Sequence, residues 1–122
     1  MKRTEREVKV QQKAIRNFRK YGAYVYKNAQ NMFTEKGRPD LAACVPVSIK
    51  KLAELFGEDA IIGLFVGIEL KRDGHLGEVS EAQQIVGRAI KKASGIWLAI
   101  DNADVIEALM VRFEVKPNDK CD

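Results

Sequence analysis

Residues 61–71 and 80–100 constrain the fold more than any other part of the chain. Along 61–71, Leu64, Val66, Ile68 and Leu70 fall on one face of an expected strand, and Phe65, Gly67, Glu69 and Lys71 on the other. The period then changes. Ala82, Ile85, Val86, Ala89, Ile90 and Ala93 recur at the spacing of one helical stripe that begins at Ser80 and stops near Gly95. Residues 96–100 read as a further strand. A strand, a long helix and a strand in succession are the sequence pattern of a parallel crossover.

The remaining segments extend that pattern. Residues 4–21 form an expected basic amphipathic helix, with Val8, Ala14, Ile15 and Phe18 near one stripe and Gly22 as its stop. Residues 23–27 are rich in β-formers, and Tyr24 and Tyr26 read as half-buried strand residues. A polar loop over 28–38 leads to a strand over 41–47, closed by Pro46. Ser48 caps a helix over 48–56 that carries Ile49, Leu52, Ala53 and Phe56 and ends at Gly57; a last helix spans 103–110. The order is helix, strand, strand, helix, strand, helix, strand, helix. It predicts an α/β fold.

A chain of 122 residues with 46% hydrophobic content can bury one core without staples. We expect a single domain over 1–115 and a polar tail over 116–122. No apolar run approaches the ~18 residues of a membrane span, and the start is charged, so the expected setting is soluble and cytoplasmic, without a membrane partner. Cys44 lies in an apolar run and Cys121 in the tail, which suggests neither a disulfide framework nor a zinc motif. Positive charge is concentrated early: residues 1–60 carry 13 Lys and Arg against 7 Asp and Glu, the remainder 8 against 10. That imbalance attracts a polyanion, with Lys13, Arg16, Lys27 and Arg38 as candidate contacts, although charges on an amphipathic helix are commonly only its solvated face.

Glu69 and Lys71 share a strand face roughly 6.5–7 Å apart by strand rise. A carboxylate can hold a hard cation such as Mg²⁺, and an ammonium can orient water or neutralise charge on a phosphate. Asp40, after Pro39, offers a second carboxylate at the entrance to a neighbouring strand, and the Leu70 carbonyl lies between Glu69 and Lys71. No Ser/His/Asp or Cys/His arrangement and no P-loop can be assembled, and the single histidine, His75, lacks a catalytic partner in the sequence. Each candidate also has a structural reading. Glu69 and Lys71 can be a strand-end ion pair, Asp40 a turn residue, Gln83 the partner of Ser80 in a capping box, and Glu7 an acidic residue favoured in a first helical turn.

Three segments in order, Gly37-Arg38-Pro39-Asp40-Leu41, Ile68-Glu69-Leu70-Lys71 and Val79-Ser80-Glu81-Ala82-Gln83, resemble the successive motifs of the VRR-NUC family within the PD-(D/E)XK nuclease superfamily. The similarity runs from Glu5 to Met110. The resemblance implies a restriction-endonuclease-like core, a mixed central sheet flanked by helices, and a metal-dependent endonuclease that hydrolyses DNA phosphodiesters. It implies Mg²⁺ or Mn²⁺ held by Asp40, Glu69 and the Leu70 carbonyl, with Glu7 direct or through water. Lys71 then assists the attacking water, and Gln83 supports the site or contacts phosphate. A homodimer selective for branched, junction or flap DNA is the implied assembly, in a host or a phage pathway. The helix at 48–56 is longer than the connection many members use. Two alternatives stay open: an inactive DNA-binding or assembly subunit, and a sequence-specific restriction-type enzyme.

Overall fold

The computed structural model describes residues 5–29 and 36–118. Its elements are α1 (Glu5–Lys20), β1 (Tyr24–Lys27), β2 (Leu41–Cys44), α2 (Ile49–Phe56), β3 (Val66–Leu70), α3 (Glu81–Lys92), β4 (Ile96–Ile100) and α4 (Asp104–Arg112), with one 3₁₀ turn at Leu76–Glu78. The order of helices and strands is the one expected from the sequence. Part of the polar loop over 28–38, and Cys121 in the tail, lie outside the described residues.

The described strands form two ribbons in place of one central sheet. β1 and β2 pair antiparallel, with Tyr24 opposite Cys44 and Lys27 opposite Leu41. β3 and β4 pair parallel, Val66 opposite Ile96 and Leu70 opposite Ile100, and α3 forms the crossover between them. Two strands are shorter than expected. β2 ends at Cys44, ahead of Val45 and Pro46, since proline has no N–H to extend a ladder. β3 begins only at Val66; before it only the Phe65 carbonyl meets β4, accepting from the Ile96 N–H at 3.1 Å, and Ile61 is 98% exposed. Alternation marks a segment able to be a strand, whereas pairing decides how much of it becomes one.

Local chemistry sets the helix boundaries. Ser48 accepts from the Lys51 N–H at 3.1 Å and caps α2. Ser80 caps α3 with a complete capping box. Among the described residues the buried core is small: Ala23, Val25, Cys44, Ile90, Ala93 and Ile100. Most of it lies where β1 and β2 meet the end of α3, and Ile100 lies at the far end of β4. The Cys44 thiol donates to the Ala93 carbonyl at 3.5 Å, and a Cβ on Gly95 would stand 2.7 Å from Cys44 Sγ, so only glycine lets β2 approach the start of β4 this closely. Gly87 serves the crossover likewise, because a Cβ there would sit 2.5 Å from the Trp97 ring. Of the expected α3 stripe, Ile90 and Ala93 are buried while Ile85 and Val86 remain exposed.

α2 and α4 touch the other elements only marginally. Ile49, Leu55, Phe56, Ile61, Ile62 and Leu64 consequently leave an apolar surface on α2 and the segment after it, and Ile49 is 85% exposed. No described helix is long and apolar enough to cross a membrane.

Candidate functional site

Glu69, Lys71 and Gln83 meet at the corner where β3 ends and α3 begins. Strand alternation puts Glu69 and Lys71 on the face toward α3, and Lys71 Nζ lies 3.6 Å from Glu69 Oε1. The capping box fixes Gln83 at the third position of α3: Ser80 Oγ accepts from Gln83 N at 3.1 Å, and Gln83 Oε1 accepts from Ser80 N at 2.9 Å. The other end of the same amide is thereby aimed at the strand, and Gln83 Nε2 donates to Glu69 Oε1 at 2.7 Å. Capping and contact with Glu69 are both present. The side chains of Lys71 and Glu69 are only 16% and 29% exposed, so their attraction is less screened than that of a surface pair.

Both contacts of Glu69 fall on Oε1, which leaves Oε2 as the oxygen able to take a ligand. The backbone adds a second oxygen. The Lys71 N–H donates to the Ile100 carbonyl at 2.8 Å, so in this parallel ladder the peptide groups of Glu69 and Lys71 face β4. Those of the intervening Leu70 therefore face the opposite edge of β3, and its carbonyl is outside the β3–β4 ladder. Carboxylate and carbonyl oxygens are the donors hard divalent cations take.

Asp40 and Glu7 belong to a second recess, of about 400 Å³, lined also by Arg6, Gln11 and Leu41. Glu7 reaches it from the first turn of α1, and Asp40 from the residue before β2. Asn28 holds that turn from the other side of the hairpin. Its N–H donates to the Asp40 carbonyl at 3.0 Å, its Nδ2 donates to the Pro39 carbonyl at 2.7 Å, and its Oδ1 accepts from Arg38 Nη2 at 3.0 Å. Among the described residues no three Asp, Glu, His or Cys side chains form a metal-holding group, and Glu7 and Asp40 line a different recess from Glu69. The hairpin is oriented along β3: Tyr24 meets Phe65 edge-on at 6.5 Å, and Tyr24 and Tyr26 line one recess with Phe65 through Glu69. Asp40, opposite Asn28, lies beyond the Tyr26 end of that hairpin.

The other sequence candidates are on the surface. Lys13 and Arg16 project from α1, Lys27 ends β1, and all three are exposed, as is Arg38 even while bound to Asn28. His75 pairs with Glu78 at 2.7 Å inside the 3₁₀ turn, a contact their three-residue spacing could have suggested. Two residues in and around the loops were not singled out from the sequence. One is Asn28, within a polar stretch that carries no periodicity. The other is Asp101, whose Oδ2 accepts from the Gly74 N–H at 3.1 Å and ties the loop after Lys71 to the end of β4.

No protein-family model, curated protein or solved structure matches the chain. The chemistry of the site therefore carries the functional argument.

Proposed function

We propose that this protein is a metal-dependent nuclease of the VRR-NUC kind, hydrolysing phosphodiester bonds in DNA. The observation that carries the reading is the Glu69–Lys71–Gln83 corner. There a half-buried carboxylate keeps one free oxygen beside an ammonium, and a capped helix holds it in orientation. A mere strand-end ion pair does not need the glutamine.

In this reading Glu69 and the Leu70 carbonyl would hold Mg²⁺ or Mn²⁺, and Asp40, with Glu7 through water, would have to reach that cation from the separate recess they line. The cation supplies Lewis acidity toward the phosphate and makes bound water a stronger acid. Lys71 orients the attacking water and neutralises charge that grows on the phosphate oxygens. Gln83 keeps Glu69 Oε2 aimed outward by holding Oε1. Asn28 sets the height of Asp40 by holding its carbonyl and that of Pro39. The two ribbons are then the halves of a restriction-endonuclease-like core.

The same reading makes the protein a homodimer. What supports this is the apolar surface of α2 and residues 61–64, where Ile49 and Ile61 stand almost fully exposed, and a second copy is the occupant it suits. DNA is the substrate the basic early half suits, with Lys13, Arg16, Lys27 and Arg38 as phosphate contacts that position without reading bases.

The test is incubation with branched and linear DNA in Mg²⁺, in Mn²⁺ and in chelator. Product that requires the cation and is enriched at the branch is the expected result. Binding without any metal-dependent product would assign the protein to the DNA-binding subunits. Cutting at one defined sequence regardless of branching would assign it to the restriction-type enzymes.

A further inference from the structure

We propose that the aromatic recess between β1, β3 and α3 binds an unpaired nucleobase next to the scissile phosphate. This inference rests on the nuclease reading and names the feature of DNA that the site selects.

The recess measures about 350 Å³ and gathers Tyr24, Tyr26, Phe65 and Trp97, four of the nine aromatic side chains in the chain. Tyr24 and Tyr26 lie on one face of β1 by strand alternation, with ring centroids 5.9 Å apart and planes tilted by 40°. Phe65 abuts Tyr24 edge-on and holds that ring in place. Tyr26 lines the same recess and is 40% exposed, so its ring is accessible to a guest. Trp97 seats itself over Gly87 on the opposite side, and Lys91 Nζ lies 5.6 Å from its ring centroid.

Two features select a nucleobase over an ordinary apolar guest. First, the recess shares Glu69 with the proposed hydrolytic corner, so an occupant lies adjacent to whatever Glu69 and Lys71 hold. Second, ammonium groups stand at both places, Lys71 beside Glu69 and Lys91 over Trp97, which suits a ligand that is aromatic and polyanionic at once. A base inside an intact duplex has both faces covered by its neighbours and cannot lie against Tyr26. A base at a branch, flap or gap offers a free face. Discrimination by DNA structure then follows from one contact, with no reading of sequence.

Trp97 is the only tryptophan, so its fluorescence reports occupancy of the recess directly. The wild-type protein is titrated in chelator with oligothymidylate, with an abasic strand of equal length and with a blunt duplex. Oligothymidylate should quench Trp97 and bind about tenfold more tightly than the abasic strand. Tyr26→Ala should abolish that difference, and Tyr26→Phe, which keeps the ring, should retain it. Equal affinity for base-bearing and abasic strands would overturn the proposal, as would an unchanged preference in Tyr26→Ala. Because chelator removes cleavage from the measurement, loss of the nuclease reading and loss of this one are recorded by different experiments.

Discussion

Gln83 joins the first turn of α3 to the end of β3: its Oε1 accepts from the Ser80 N–H at 2.9 Å while its Nε2 donates to Glu69 Oε1 at 2.7 Å. The two partners dictate which end of the amide is which, since only oxygen can accept from a backbone N–H and only nitrogen can donate to a carboxylate. Two substitutions separate the two jobs. Gln83→Glu keeps the cap acceptor but loses the donor to Glu69 and sets a second negative charge against it, so urea stability at neutral pH should fall by about 1–2 kcal/mol through that contact alone. Cleavage should fall at least tenfold. Gln83→Ala should lower stability as well, by about 0.5–1.5 kcal/mol. Full activity in Gln83→Glu would reduce the glutamine to a cap alone.

Lys71→Ala should bind Mn²⁺ and DNA as the wild type does and lose cleavage by about a hundredfold or more, because its charge acts on the reacting phosphate. Asp40→Asn should also weaken Mn²⁺ binding, measured by titration calorimetry. Wild-type turnover in either variant removes that residue from its assigned role.

Gly87→Ala tests the crossover without touching the polar corner. The new Cβ would stand 2.5 Å from the Trp97 ring and must displace it. A loss of about 1–3 kcal/mol and a shift of the Trp97 emission are expected. An unaltered denaturation midpoint would show that the ring moves freely.

Burial pushes the Cys44 thiol above its ordinary pKa. The folded protein therefore holds this proton more tightly than the unfolded chain. Its contribution to stability is complete below the ordinary thiol value and is lost as pH rises from there through the raised one. Burial and the neighbouring Tyr26 raise Tyr24 too, in a higher range that begins near the ordinary phenol value. Cys44→Ala should thus flatten the decline of stability that sets in as pH rises through the ordinary thiol range and leave the one that begins near the ordinary phenol value. Parallel curves for the two proteins would contradict the assignment.

Replacing Lys13 and Arg16 by Gln should weaken DNA binding alike for all sequences and reduce the salt slope by nearly two units if each meets a phosphate. An unchanged slope would move the DNA surface away from α1.

Much of the corner was legible in the sequence. Glu69 and Lys71 share a face by alternation alone, and Ser80 with Gln83 forms a recognisable capping box, so only the distance between strand end and helix start was missing. Asn28 was not legible, since its three partners lie ten to twelve residues away across a hairpin and no local spacing encodes them. The aromatic recess was hidden likewise: it needs β1 beside β3, and Tyr26 read from its own strand is simply a β-former.

The order of elements and the caps at Ser48 and Ser80 followed from residue spacing, because each depends on neighbours within about one or two turns of chain, and the βαβ unit followed from that order. The tertiary structure decided how much of 61–71 became strand, the division into two ribbons, and the separation of the Asp40–Glu7 set from the Glu69 corner. Those features depend on which distant backbone groups and side chains come to lie opposite one another. Hydrophobic periodicity says which face is turned inward and is silent about what it meets there.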